Sequence, residues 1–353
     1  MVKRTAKLSD VAAAAKVSLG TASNAFNRPE LLRPELRDLI EKAARKLGYL
    51  GPDPKGRLLM GGKTNAIGFI PAGEMSVATA FNSPFLRKFL SGVAEVCEER
   101  GASLVVISGA EERKDWAIRN ALVDGFILGH AEEVNLISVR RRKVPFVVMD
   151  LDAGPDVNSV GIAGREGARL AAQHMLDLGH RKFAIVSVLR KRGDAVWHSP
   201  GDRERQLSAS YPLDYEKLDG YGDALATAGI SLNSVPILEC YPPSPWAEAG
   251  AHVLFERAPD ATAILVMSDT NALGVLNVAR ERGIKVPDDV SVVGFDDAPD
   301  AITSSPPLTT IAQPLVEKGR LAANIVFDGF HSRHEIMPVK LIIRASTAFR
   351  SNA

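Results

Sequence analysis

Cysteine is nearly absent, with two in 353 residues, Cys97 and Cys240. They lie far apart and without metal-ligand spacing, which excludes a disulfide framework and fits a reducing compartment. Long apolar runs are missing too. No stretch approaches the length that spans a bilayer, and the opening MVKRTAKLSD carries charge without an apolar segment. Neither membrane insertion nor secretion is therefore expected. The signatures of catalysis are equally scarce. There is no Ser-His-Asp motif, no phosphate-binding glycine loop and no H-E-x-x-H, although Asp150, Asp296 and the histidines could be drawn as acid–base partners. These absences leave a cytoplasmic protein without metal, cofactor or enzyme activity as the expectation.

What is present is the composition of an ordinary globular protein, 46% hydrophobic and 24% charged, in a chain too long for one usual core. The net charge of +1 hides an asymmetry. Residues 1–64 hold 13 Lys/Arg against 6 Asp/Glu, whereas the remainder holds 30 against 36. A basic head on a mildly acidic body suggests that the head meets a polyanion.

The first 50 residues predict three helices, at about 8–15, 19–26 and 34–47. In the third, Pro34 suits a first helical position and Gly48 a stop. Its apolar stripe runs through Leu36, Leu39, Ile40, Ala43, Ala44 and Leu47. Two short helices across a tight turn, with a third packed over them, describe a helix-turn-helix unit. Val11, Ala14, Ala15, Ala22, Ala25 and Phe26 would form its small core. The second helix then presents Ser18, Thr21, Ser23 and Asn24. Hydroxyls and amides at a helix start suit phosphate oxygens, and an Asn can pair with an adenine edge. The alternative is a helical cap whose hydroxyls only cap helices.

Residues 51–65, GPDPKGRLLMGGKTN, read as a linker with a short central helix. Beyond residue 66, apolar strands alternate with amphipathic helices. Strands are expected at 66–72, 103–109, 125–129, 145–150, 182–188, 263–269 and 290–297. Helices are expected at 85–100, 166–178, 218–228, 247–257 and 271–282. Continuous Val/Ile/Leu strands between helices mean parallel sheets covered on both faces. Ligands of such sheets bind beyond the strands' carboxyl ends, where Asp150, Asp152, Ser268-Asp269 and Asp296-Asp297 fall. The polar stretch 189–214 reads as a surface loop, with Trp197 and His198 as a possible lid; His180 reads as structural.

Several stretches resemble the LacI/GalR (lactose-repressor/galactose-repressor) family of transcription factors. They are LSDVAAAAKVSLGTASNAFN, LRPELRDLIEKAARKLGYL, VDGFILG, VPFVVMD, NSVGIA, LGHRKFAIV, SDTNALGVL, PDDVSVVGFDD and PPLTTIAQP. The resemblance covers almost the whole chain in order. It implies an all-α helix-turn-helix head (1–50) and a hinge (51–65). A two-lobed α/β periplasmic-binding-protein-like domain with parallel sheets (66–353) follows, with lobe one near 66–163 and 314–341 and lobe two near 164–313 and 342–353.

By the same resemblance, Leu19, Gly20 and Asn24 read bases, Ser18, Thr21 and Ser23 hold phosphates, and Arg57 and Leu59 enter the minor groove from the hinge. Asp150, Lys217, Ser268, Asp269 and Asp296 match effector-contacting positions, while Tyr241, Trp246 and Phe85 are aromatics suited to a sugar's apolar face. The implied partners are a near-palindromic operator, a second copy of the chain, and a small-molecule effector, expected to be a sugar. A purine- or nucleoside-responsive corepressed regulator is the alternative, and a sugar-binding protein without DNA function is the remaining one.

Departures from the family pattern bear on specificity. Asn24 stands where Arg is frequent, Gly20 has no side chain to read with, Met60 replaces a common basic residue, and the hinge has an extra residue near Gly51-Pro52. Lys217 replaces an arginine and Ser268 an asparagine. No heptad zipper accompanies the tail, so tail-mediated tetramers are not expected.

Overall fold

The computed structural model describes residues 6–27, 29–49, 51, 63–73, 75–109, 114–129, 133–151, 154–189, 193–202, 212–242, 244–329 and 332–350. The chain divides into two compact units at Thr64/Asn65. In the first, helices α1 (Leu8–Ala15), α2 (Leu19–Asn27) and α3 (Pro34–Leu47) form as their caps and apolar spacing predict. Lys16, at φ 54°, turns the chain out of α1, and the Val17 amide closes that turn on the Ala12 carbonyl at 3.0 Å. The Ser18 hydroxyl then accepts the Thr21 amide at 3.0 Å, which starts α2.

Val11, Ala15, Ala25, Ile40 and Ala44 are buried together, with Phe26 and Tyr49 packed edge-to-face at 5.4 Å beside them. Two expectations are corrected. Ala12, not Ala14, lies inside, because Val11, Ala12 and Ala15 share an arc of roughly 100° on α1 that excludes residue 14. Leu39 and Leu47 are 50% and 41% exposed, so the buried stripe of α3 is narrower than its apolar stripe. A core closed by two short helices covers only one side of a longer one.

The second unit holds two sheets. The first contains β1 (Ala66–Ile70), β2 (Ser103–Val106), β3 (Gly125–Leu128), β4 (Phe146–Met149), β5 (Asn158–Ile162) and a late strand, β12 (His334–Met337). Their order is β12-β5-β4-β3-β1-β2, all parallel. The second sheet contains β6 (Phe183–Val188), β7 (Val196–His198), β8 (Ile237–Cys240), β9 (Ala263–Val266), β10 (Ser291–Asp296), β11 (Thr309–Ala312) and β13 (Lys340–Ile342). Its order is β13-β11-β10-β9-β6-β8-β7, parallel except for the edge strands β7 and β13.

Helices cover both faces of each sheet. In the first lobe these are α4 (Val77–Asn82), α5 (Pro84–Glu99), α6 (Lys114–Asn120) and α7 (Glu133–Arg142). In the second they are α8 (Gly164–Asp177), α9 (Pro212–Thr227), α10 (Trp246–Arg257), α11 (Asp269–Glu281) and α12 (Pro299–Thr303). Helix α13 (Leu315–Asp328) returns to pack on α5. Alternation within β1 shows why both faces need cover: Ile67 and Phe69 meet Phe89 and Val93 of α5, whereas Ile70 joins Phe126 and Ile118 on the opposite face. The chain crosses between lobes after β5, after β11 and after β12. Among the described residues no helix is long and apolar enough to cross a membrane.

Residues 189–214 are not simply a loop. Residues 196–198 form β7, with Trp197 opposite Leu238, and His198 Nε2 lies 3.1 Å from Glu239 Oε1. Trp197 packs on the second-lobe core, so the lid reading gives way to an edge strand. Helix α9 begins at Pro212, a turn and a half before the expected start. The return to lobe one ends at Met337, and Lys340 already belongs to the second sheet, slightly before the expected boundary at 341. These short edge strands alternate polar and apolar residues, a weaker signal than the buried runs. His180 is structural, its ring nitrogens held by Thr262 Oγ1 at 3.0 Å and the Ala348 carbonyl at 3.1 Å.

Candidate nucleic-acid interface and effector cleft

On the head, Leu19 opens α2 with 56% of its surface exposed, and Gly20 beside it is also exposed. Thr21, Ser23 and Asn24 are half-buried on the same helix. The Ser18 and Thr21 hydroxyls lie 2.8 Å apart. Ser18 therefore caps α2, while the helix start still faces solvent. Arg57 and Leu59 lie outside the described residues.

In the second unit the polar residues gather where the strands of both sheets end. Asp150 follows β4, Asp296 closes β10, and Gln313 follows β11 just before the chain crosses to α13. Asp150, Asp296 and Asp297 all have positive φ, at 52°, 122° and 54°. A φ of 122° is one that a side-chain-bearing residue rarely adopts, and strain of this kind marks sites that the surrounding fold over-determines.

Asp296 is buried and accepts a hydrogen bond from Gln313 Nε2 at 2.7 Å. Burial pushes its carboxyl up to about 6, opposed by the nearby Lys217, the Gln313 hydrogen bond and Lys318, and reinforced by Asp150. Lys217, on α9, donates to the Met267 carbonyl at 3.0 Å and lies 3.9 Å from the centre of the Phe295 ring. A cation over an aromatic face is held by the ring quadrupole. Lys88 of α5 reaches from the first lobe to the Asp297 carbonyl at 3.0 Å, and Arg344 holds the Asp297 carboxylate at 2.6 Å.

Two residues expected to touch effector have other work. Asp269 is fully buried, with one oxygen taken by the Thr310 hydroxyl at 2.6 Å and the other by the Ala298 amide at 2.7 Å. It ties α11 to β11 and to the turn after β10, and burial raises its carboxyl well above the ordinary range. Ser268 caps α11 through the Asn271 amide at 3.3 Å. Asp269, with no exposed surface, holds this helix start instead of facing a ligand, and Ser268 caps the same helix. Asp150 is present at the cleft, but both its oxygens are occupied by Lys318 Nζ, at 2.6 and 2.7 Å. Tyr241 and Trp246 meet edge-to-face at 5.7 Å beyond the end of β8, and Phe85 sits half-buried in the first turn of α5.

Three residues escaped the sequence reading. Lys318 falls on the buried stripe of α13 with Leu315, Ala322 and Ile325, a lysine at an apolar helical position, which was the available signal. Tyr221 stands four residues after Lys217 and therefore on the same face of α9. Its hydroxyl is buried without a partner among the described residues. Gln313 sits in the TIAQP motif, and its Oε1 is likewise without a partner.

Fold and site define a class: a helix-turn-helix head joined to a two-lobed, periplasmic-binding-protein-like body with a polar cleft at the strand ends. Residues 7–51 match the family model described as bacterial regulatory proteins, lacI family, and residues 172–347 match the periplasmic binding protein-like domain. HTH-type transcriptional regulator Rv3575c of Mycobacterium tuberculosis is 35% identical over 335 residues, covering 92% of this chain and 91% of that one. Among solved structures, a transcriptional regulator CelR–cellobiose complex is 26% identical, with a TM-score of 0.69 over 97% of this chain and 99% of the other. The lac repressor dimer bound to operator and an anti-inducer matches in fold, with a TM-score of 0.77 at 24% identity over 98% and 100% of the two chains. The chain belongs to the LacI family of DNA-binding transcriptional regulators, and is not an enzyme.

Proposed function

We propose that the chain is a cytoplasmic, dimeric repressor that binds a near-palindromic operator and is controlled by a sugar in the cleft. The observation that carries the effector half is the set of buried polar groups at the second lobe's strand ends and on helix α9 beside them, Asp296, Gln313, Lys217 and Tyr221. It offers acceptors and donors to hydroxyls inside a body otherwise packed with apolar side chains. A carboxylate accepts hydroxyl donors through both oxygens, which suits a polyhydroxylated ligand. Tyr241, Trp246 and Phe85 supply apolar faces at its margin. The cellobiose complex of CelR supports a sugar as the class.

On DNA, Leu19, Gly20 and Asn24 of α2 read bases, Ser18, Thr21 and Ser23 hold phosphates, and Arg57 and Leu59 enter the minor groove from the hinge. Two-fold symmetry of a dimer then demands two related half-sites. The effector acts through its difference in affinity for DNA-competent and DNA-incompetent states.

Thermal melting of the full chain against sugars, sugar phosphates, nucleobases and nucleosides tests this reading. A sugar that raises Tm in proportion to ln(1 + [L]/Kd), and that changes anisotropy-monitored binding to a selected operator, supports it. A nucleobase or nucleoside hit moves the effector to the purine or nucleoside class. No shift from any sugar overturns the sugar assignment.

A further inference from the structure

The cleft contains an ion pair that the effector reading does not use. Lys318 is completely buried, and the Asp150 side chain is 6% exposed. The ammonium group lies within hydrogen-bond reach of both carboxylate oxygens, at 2.6 and 2.7 Å. Lys318 projects from the first turn of α13, directly after the crossing that carries Gln313. The pair is thus built into the wall that also presents Asp296. A buried ion pair is costly to desolvate and contributes little net stability compared with apolar packing, so its presence here calls for another account.

We propose that Lys318 is a specificity-determining residue: it takes Asp150 out of the ligand-binding set and restricts the cleft to uncharged polyhydroxy compounds. This rests on the sugar reading above and narrows it. The charges at the strand ends are Asp150, Asp296 and Asp297 against Lys318, Lys217, Lys88 and Arg344, with Glu216, Asp214 and Asp219 on the adjoining helix α9. Asp269 is already satisfied by two donors. A phosphate or carboxylate on the ligand would bring a further negative charge beside Asp150, Asp296 and Asp297, where Lys318 and Arg344 are already bonded to carboxylates and Lys217 already acts on Asp296. A ligand amine would meet no vacant carboxylate at Asp150, since Lys318 fills that role from the protein side.

What remains for a ligand is neutral hydrogen bonding. The buried Tyr221 hydroxyl and Gln313 Oε1 lack partners among the described residues, and Asp296 has one oxygen bonded to Gln313. A hydroxyl donates to Gln313 Oε1 or Asp296 and accepts from Tyr221, a pairing open to sugars and polyols alike. Buried groups left unpaired in this way penalise any ligand that cannot complete them.

The test is calorimetric titration of the full-length protein at pH 7.5 with matched sets: glucose, gluconate, glucose 6-phosphate and glucosamine; ribose and ribose 5-phosphate; cellobiose. The wild type should bind a neutral sugar at least tenfold more tightly than its anionic counterpart. Lys318→Met leaves Asp150 without its counter-ion, so the 2-amino-2-deoxy counterpart of the best neutral sugar should gain at least tenfold relative to that sugar. The double variant Lys318→Met/Asp150→Asn removes both charges, preserves folding if the single variant melts, and should lose that gain while still binding the neutral sugar. A wild type that prefers the phosphate or carboxylate would overturn this inference and leave the sugar reading standing. An unchanged amine preference in Lys318→Met would also overturn it. Binding of no sugar of either charge would sink the sugar reading itself, and this inference with it.

Discussion

Asp296 concentrates the chemistry of the cleft in one residue. It sits at φ 122°, buried, with its carboxyl raised to about 6 chiefly by loss of solvent. In the unfolded chain the same carboxyl titrates near its ordinary value, about 3.9. The folded state therefore holds the proton to higher pH. The stabilising contribution is complete below the unfolded value and is lost as pH rises through about 6. Above that, an ionised Asp296 opposes folding by up to about 3 kcal/mol, from roughly two pH units at 1.36 kcal/mol each.

Asp296→Asn keeps an acceptor for Gln313 and removes the charge. Its ligand-free form should melt above the wild type at pH 7.5, with the difference closing towards pH 4. The same variant should lose most effector response while retaining operator binding, because only the carboxylate accepts hydroxyls on both oxygens. Melting curves from pH 4 to 8 and sugar titrations check both parts; a variant no more stable than wild type at pH 7.5 refutes the burial argument. VVGFDD made Asp296 legible in the sequence. Its backbone strain and its neighbours Lys318 and Tyr221 were not, because those contacts join segments far apart in the chain.

At the scale of elements, periodicity found the helices and strands whose apolar pattern runs unbroken along the chain. Helix α3 and strands β1, β6 and β10 follow their patterns closely. It missed the edge strands β7, β12 and β13, where the apolar signal is diluted by solvent-facing residues, and also the interior strands β5, β8 and β11 and helix α13, where Asn, Ser, Thr, Glu or Lys interrupts the apolar run. Helix-to-helix contact was also illegible. Helices α5 and α13 cross where Gly92 meets the Val316 carbonyl and Gly319 meets the Phe89 carbonyl, with no room for a Cβ on either side. Because Lys318 immediately precedes Gly319, this close approach also seats the Lys318–Asp150 pair.

Gly92→Ala should force the two helices apart and destabilise the body by about 1–3 kcal/mol, the usual range for overpacking. It should also weaken sugar binding, although residue 92 touches no cleft residue. Gly101→Ala, where a Cβ meets open space but φ is +62°, gives the contrast: a comparable loss of stability through backbone strain with sugar affinity unchanged. Chemical denaturation paired with calorimetry separates the two. Equal effects of both variants on affinity would show that the crossing does not shape the cleft.

For the whole molecule, the charge asymmetry is the feature that composition alone made visible: the head carries the excess of Lys/Arg and the body the excess of Asp/Glu. Phosphate contacts are electrostatic and release counterions, so binding to DNA should weaken linearly in log–log form with salt, at a slope of about −0.9 per phosphate neutralised on each duplex. The body adds no favourable term to that slope, since its net charge is negative. Each unit has its own buried core, that of the head around Val11 and Ile40 and those of the body on both faces of two sheets. Removing residues 1–64 should therefore leave a folded body. Its Tm should rise with sugar as in the full chain, and duplex affinity should fall to background at low salt. Anisotropy with a selected operator from 50 to 300 mM salt, run beside melting with the same sugar, reads both. Retained DNA binding by the body would place the polyanion surface outside the head, and loss of the sugar response would mean that the head helps to form the effector-competent state.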